Sequence, residues 1–238
     1  MSGKTGRKSR DEQLCLDGSH PVFPRLLDDD ERTSLANLAS MISYHLQEML
    51  YQQGTPILGL YFICTGLAKV ARRTLQGKSR LIALVSDGGV PPYLFSRGGH
   101  ITYCAALKPT QVAFIERAAF RGWLERHPKA ALSLLERVSN EVGEAWTEWT
   151  RGEYYMGVAQ KLACRLLETA RRFGLPQASG GVLIDLPLTH QDWADWIGHS
   201  RERTNDVFCD WQRRGIVALK RHQVLILRED LLHKWASE

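Results

Sequence analysis

The stretch LTHQDWADWIGHSRERTNDVFCDWQRRGIV, Leu188 to Val217, holds two short helical patterns divided by a glycine. Thr189 followed by Asp192 has the spacing of a capping box, so the first helix starts at His190, with Trp193, Ala194 and Ile197 on its buried face. Gly198 can turn the chain at the end of that helix, and Ser200 can cap the next one. Thr204, Val207, Phe208 and Trp211 then recur at helical spacing and mark the inner face of the second helix. Its outer face is Arg201, Glu202, Asn205, Asp206 and Cys209. So short a gap between two helices is that of a helix-turn-helix. Gly215 closes the second helix, and IVALKRHQVLIL offers two apolar strands around Lys220, Arg221, His222 and Gln223, which makes the motif a winged one.

Upstream, LYFIC (60–64), LAKVARR (67–73), RLIALV (80–85) and TQVAFIE (110–116) read as strands. Turn signals at Gly54, Gly59, Gly66, Gly77, Gly88, Gly89, Gly98 and Gly99 divide the region into the short pieces of an antiparallel roll or barrel. After Pro128 the pattern changes. Ala131, Leu135, Val138, Val142, Ala145 and Trp149 are spaced four, three, four, three and four apart, a heptad seam that suits either packing within the chain or a two-stranded parallel dimer contact. Val158, Leu162, Leu166 and Ala170 lie on one face of a further helix, which Gly174 and Pro176 end. The expected fold is α+β: a flexible basic tail (1–20), a roll (21–126), a long dimerisation helix (127–152) and a winged helix-turn-helix domain (153–238).

The 238 residues carry a net charge of +5, which permits an anionic partner without requiring one. No apolar run is long enough to span a bilayer, and the basic N-terminus has no apolar block behind it. The five cysteines are dispersed and form no CxxC pair, which argues against a disulfide framework or a thiolate zinc site and for a reducing cytoplasm.

The stretch from Leu188 to Val217 resembles the DNA-binding segment of the cyclic-AMP receptor and fumarate-nitrate regulator family, whose pattern is roughly T-R-x-[DE]-[IL]-A-x-x-[LIV]-G-x-[ST]-R-E-T-V-S-R. VAFIERAAFRGWLERHP (112–128) is similar to the family's last roll strand and the helix after it, and Gly66 to Arg73 to an earlier strand. The resemblance implies a dimeric regulator of transcription that binds a pseudo-palindrome in double-stranded DNA, and contacts RNA polymerase if it activates. By position, Arg201 and Glu202 would touch base edges: Arg can bond guanine O6 and N7, and Glu can accept from cytosine N4. Asn205 and Asp206 share that face, Asp206 standing where the family has a cation. Thr189, His190, Ser200, Arg203, Lys220 and Arg221 are the candidate phosphate contacts, and Leu135, Val138, Val142, Ala145 and Trp149 the candidate dimer contacts.

The family's cyclic-nucleotide members hold the ribose and phosphate with Gly-Glu and Arg-[ST]. Here Val90 and Pro91 stand in place of the Glu and its neighbour, and His100 and Ile101 in place of the Arg and Ser or Thr. Pro91 and Pro92 also lack the N–H donors an anion cradle uses. The expectation is no cyclic nucleotide, no iron–sulfur cluster, since Cys15 alone lies near the N-terminus, and no haem, although His100 with Cys104 or His45 is the conceivable ligand set. Arg97, His100 and Cys104 remain as weak effector-site candidates, with no metal site. Trp123, Trp146, Trp149, Tyr154 and Tyr155 read as packing residues or as walls of an apolar effector pocket. An enzyme using Cys104 and His100 as nucleophile and base is the reading from another class. It lacks a recognisable base-orienting acid, and no catalytic residue is assigned. A regulator that needs no effector is the remaining alternative.

Overall fold

The computed structural model describes residues 27–87, 98–150 and 156–237, apart from the side chains of 137, 141 and 144–150. Arg97, Val90, Pro91, Pro92, Cys15, Tyr154 and Tyr155 lie outside these residues, as do the side chains of Ala145, Trp146 and Trp149. The chain divides into two compact units, with the main boundary at Gly143.

The first unit opens with helix α1 (Asp29–Ala36), whose capping box pairs Asp28 with Glu31. Strands β1 (Ala39–Tyr44), β2 (Met49–Tyr51), β3 (Gly59–Thr65), β4 (Leu67–Arg73), β5 (Ser79–Ser86), β6 (Tyr103–Ala106) and β7 (Thr110–Glu116) follow. They form two sheets, β1-β7-β3 and β2-β6-β4-β5, antiparallel in every pairing described. The three-stranded sheet is covered on both faces because its strands alternate between two apolar sets. Leu60, Phe62, Cys64, Ala113 and Ile115 meet Phe120 and Trp123 of helix α2 (Arg117–Arg126). Ile63 and Val112 meet Leu50, Val70, Val85 and Cys104 of the other sheet. Trp123 is therefore a core residue, and its Nε1–H donates to Ser34 of α1 at 2.9 Å.

Between β3 and β4, Gly66 has φ +108°, and a Cβ there would sit 2.6 Å from the Pro109 carbonyl oxygen. The tight return needs glycine for both reasons. The sequence pattern locates β4 and β7 with their bounds and misses α1, β1, β2 and β6. Strand β6, YCAA, is buried at every position, so it carries no alternation to read. Cys64 is disulfide-bonded, against the expectation drawn from dispersed cysteines in a reducing compartment.

Helix α3 (Pro128–Thr150) begins at the proline the sequence marks. Ala130 packs into the first unit's core, but the seam residues Leu135, Val138 and Val142 are 62%, 46% and 50% exposed. Packing within the unit therefore does not account for them.

The second unit is built on helix α4 (Val158–Phe173), whose buried stripe is Leu162, Ala163, Leu166, Thr169 and Ala170. Strand β8 (Gly174–Pro176) follows without a break, so the glycine and proline that end the helix are also the first and last residues of a strand. Next come β9 (Val182–Asp185), helix α5 (His190–Ile197), helix α6 (Arg201–Arg213), β10 (Val217–Lys220), β11 (Gln223–Ile226) and helix α7 (Glu229–Ser237). The strands make one sheet in the order β10-β11-β9-β8. Helix α7, not anticipated from sequence, packs on α4; its Leu232 is fully buried, and Trp235 lies 6.2 Å from Trp211 between ring centroids.

Candidate DNA-binding surface

Each end of the two central helices is determined locally. Thr189 Oγ1 accepts from the Asp192 N–H at 3.1 Å, and the Asp192 carboxylate accepts from the Thr189 N–H at 2.9 Å and its hydroxyl at 2.6 Å. This reciprocal capping box starts α5 at His190. Gly198 takes the left-handed conformation, φ +71°, and stops it. The Ser200 hydroxyl then accepts from the Arg203 N–H at 3.3 Å and starts α6.

Helix α6 is held by its inner face. Thr204, Phe208 and Trp211 are fully buried, and Val207 is half-buried. Phe208 packs beside His190 (5.2 Å between ring centroids) and edge-on to Trp193 (6.3 Å), both from α5. The Thr204 hydroxyl donates to the Ser200 carbonyl at 2.9 Å, so this buried polar atom is satisfied within the helix.

The outer face exposes Arg201, Glu202, Arg203, Asp206 and Cys209. Hydrogen bonds from its own backbone N–H and from the Ser200 hydroxyl, with the positive charge of Arg201, hold the Glu202 carboxyl below its ordinary value. Glu202 is thus an ionised acceptor at neutral pH. The same bond engages the Ser200 hydroxyl in the free protein, so Ser200 first serves the helix end. Asn205 departs most from the sequence expectation: it is half-buried, and its Oδ1 lies 2.9 Å from His190 Nδ1. Two residues assigned on sequence to separate roles, one to bases and one to phosphate, are hydrogen-bonded to each other.

The hairpin of β10 and β11 pairs Lys220 with Gln223, which leaves Arg221 and His222 as a two-residue turn. His222 has φ +59°, the left-handed conformation a tight hairpin turn favours. Lys220, Arg221 and His222 are all exposed. Gln223 is tied to Asp185 of β9 at 2.9 Å, so the wing's base is braced while its tip is free to meet a phosphate.

In the first unit two of the effector candidates, Cys104 and His100, lie among the described residues. Cys104 is fully buried in β6, and burial pushes its thiol up to about 12, so it is a packing residue at neutral pH and not a nucleophile. His100 is 6% exposed and stacks on Tyr51 with ring centroids 3.8 Å apart, and neither ring nitrogen has a hydrogen-bond partner. Burial lowers its pKa. A hydrogen-bonded Cys104–His100 pair, which the enzyme reading needs, is not formed. His45 is exposed after β1. Among the described residues, no group of three or more His, Cys, Asp or Glu could hold a metal ion, and no helix is long and apolar enough to cross a membrane.

An antiparallel roll ahead of a winged helix-turn-helix, with a charged outer helix face and a basic wing tip, defines the class of helix-turn-helix DNA-binding proteins. Residues 160–235 match the Crp-like helix-turn-helix domain family, and residues 41–127 match the cyclic nucleotide-binding domain family. The chain is 26% identical over 196 residues to the CRP-like cAMP-activated global transcriptional regulator of Mycobacterium tuberculosis, covering 79% of this chain and 84% of that one. It is 24% identical over 206 residues to the transcriptional activator protein FnrL of Cereibacter sphaeroides, covering 83% and 81%. In fold it is similar to FixK2 from Bradyrhizobium japonicum, with a TM-score of 0.70 at 21% identity over 83% of this chain and 96% of that one. A CooA mutant from Carboxydothermus hydrogenoformans gives 0.71 at 16% identity over 94% and 99%. The chain belongs to the cyclic-AMP receptor and fumarate-nitrate regulator family: it is a transcriptional regulator with a DNA-binding helix-turn-helix.

Proposed function

We propose that the protein binds a pseudo-palindromic DNA site as a homodimer, with half-sites about one helical turn, roughly 34 Å, apart. The observation that carries the reading is the outer face of α6, where Arg201 and an ionised Glu202 are exposed at the capped helix start. Arg201, Glu202, Asn205 and Asp206 read bases. Thr189, Ser200, Arg203, Lys220 and Arg221 contact the phosphate backbone. The apolar stripe of Leu135, Val138 and Val142, exposed in the single chain, supports pairing through α3. As an activator the dimer would also contact RNA polymerase.

We read the roll as one that takes no cyclic nucleotide: His100 stands where the family has the phosphate's Arg, and burial lowers its pKa toward the neutral form. A buried ring with two unpartnered nitrogens favours a different, uncharged polar effector over a roll with no ligand. Neither haem nor an iron–sulfur cluster is part of this reading.

The test is selection of bound DNA from a random pool, followed by binding of variants to permuted half-sites. Arg201→Ala should relax the preference at one base pair by about 1–3 kcal/mol. Lys220→Ala should weaken all sequences alike. Equal losses on every sequence for Arg201→Ala would remove it from base readout. Thermal shift with nucleotides and small polar compounds, read with DNA binding, separates the sensor from an effector-independent regulator: no ligand-linked change in either favours the latter.

A further inference from the structure

The contact between His190 and Asn205 bears on which base α6 selects. The carboxamide oxygen of Asn205 can only accept, so the 2.9 Å contact requires His190 Nδ1 to carry the proton. The ring cannot easily rotate away from this bond, because it is half-buried and packs against Phe208 at 5.2 Å with an interplanar angle of 27°. On the other side of the amide, Asn205 Nδ2 donates to Cys209 Sγ at 3.6 Å. That is a weak bond and uses one of the two amide hydrogens. The amide plane is thus held from both sides, its oxygen turned to α5 and one N–H left over.

An unrestrained Asn recognises adenine by pairing its oxygen with N6–H and its nitrogen with N7. With its oxygen turned to α5 and bonded to His190 Nδ1, the side chain keeps its second N–H as the group left for a base. We propose that His190 is a positioning residue that makes Asn205 a donor-only reader, selecting a base with a major-groove acceptor and rejecting cytosine, whose exposed edge offers a donor. This rests on the assignment of α6 as the DNA-reading helix. It replaces the phosphate role that sequence position implies for His190.

The experiment uses the full chain on its selected half-site, with each base pair randomised in turn at several salt concentrations. Asn205→Ala should flatten the preference at one base pair by about 5- to 150-fold, the range of one side chain's base discrimination. His190→Ala should flatten the same base pair, leave the salt dependence unchanged, and add nothing in the Asn205→Ala background. His190→Gln, whose amide N–H can donate to Asn205, should restore much of the preference and also serves if the alanine variant folds poorly. Uniform weakening on all sequences by His190→Ala, with a salt slope smaller by about 1, would make it a phosphate contact and overturn the proposal. Cytosine as the preferred base opposite Asn205 would overturn it too. A wild-type protein that selects no sequence at all would overturn the DNA-reading assignment itself, and the proposal with it.

Discussion

Replacing Val138 with glutamate tests whether the exposed seam of α3 joins two copies of the chain. Leu135, Val138 and Val142 are 62%, 46% and 50% exposed, so each has about half its surface left to bury. Complete burial of such a side chain contributes about 1.5–3 kcal/mol, so half contributes about 0.8–1.5 kcal/mol. A two-fold contact contains each residue twice, and Val138→Glu therefore removes about 1.6–3 kcal/mol. It also brings two carboxylates together across the axis, which adds about 1 kcal/mol at about 4 Å where bulk water screens them. The sum, about 3–4 kcal/mol, weakens the dimer by two to three orders of magnitude. Sedimentation velocity over a dilution series measures the shift, with far-ultraviolet circular dichroism to confirm that the helices persist. The variant should keep its affinity for a single half-site and lose the advantage of the full palindrome. A dimer constant equal to that of the wild type, or a wild-type protein that stays monomeric at the highest accessible concentration, refutes the reasoning.

Two further outcomes follow from buried polar groups. The Ser200 carbonyl receives both the Thr204 N–H, at 3.1 Å, and its hydroxyl, at 2.9 Å. Thr204→Val therefore exchanges one hydrogen bond, about 1 kcal/mol, for a buried methyl of about 0.8 kcal/mol and should be near neutral in urea unfolding. Thr204→Ala loses the bond and the methyl and should cost about 1.5–2.5 kcal/mol. His100 has its pKa lowered by burial from the ordinary 6.5, so the unfolded chain takes up a proton before the folded one does. Its contribution to stability is complete above pH 6.5 and is lost as pH falls below that value toward the folded pKa. The unfolding free energy of the wild type should fall as pH falls through this window by up to about 1.4 kcal/mol per pH unit, and His100→Phe should reduce that slope. An unchanged slope places the pH dependence elsewhere.

The helix-turn-helix was legible from the chain alone because its signals are local. Thr189 with Asp192, Gly198 and Ser200 determine helix ends through bonds to their own neighbours, and the 3.6-residue period of Thr204, Phe208 and Trp211 marks the inner face. Strands β4 and β7 were equally plain, being apolar runs bounded by turn residues. Strands β1, β2 and β6 were not, since short strands form through pairing with distant partners, as Ala39 does with Ile115 and Tyr51 with Cys104. Helix α7 is likewise made stable by packing on α4. What tertiary structure alone decided is finer and closer to function. It left the α3 seam uncovered in one chain, buried His100 with both nitrogens unpartnered, and brought His190 and Asn205 from two helices within 2.9 Å. Sequence order places both residues on the DNA side of the motif; only the crossing of α5 and α6 makes them a pair, because a hydrogen bond depends on position in space and not on separation along the chain.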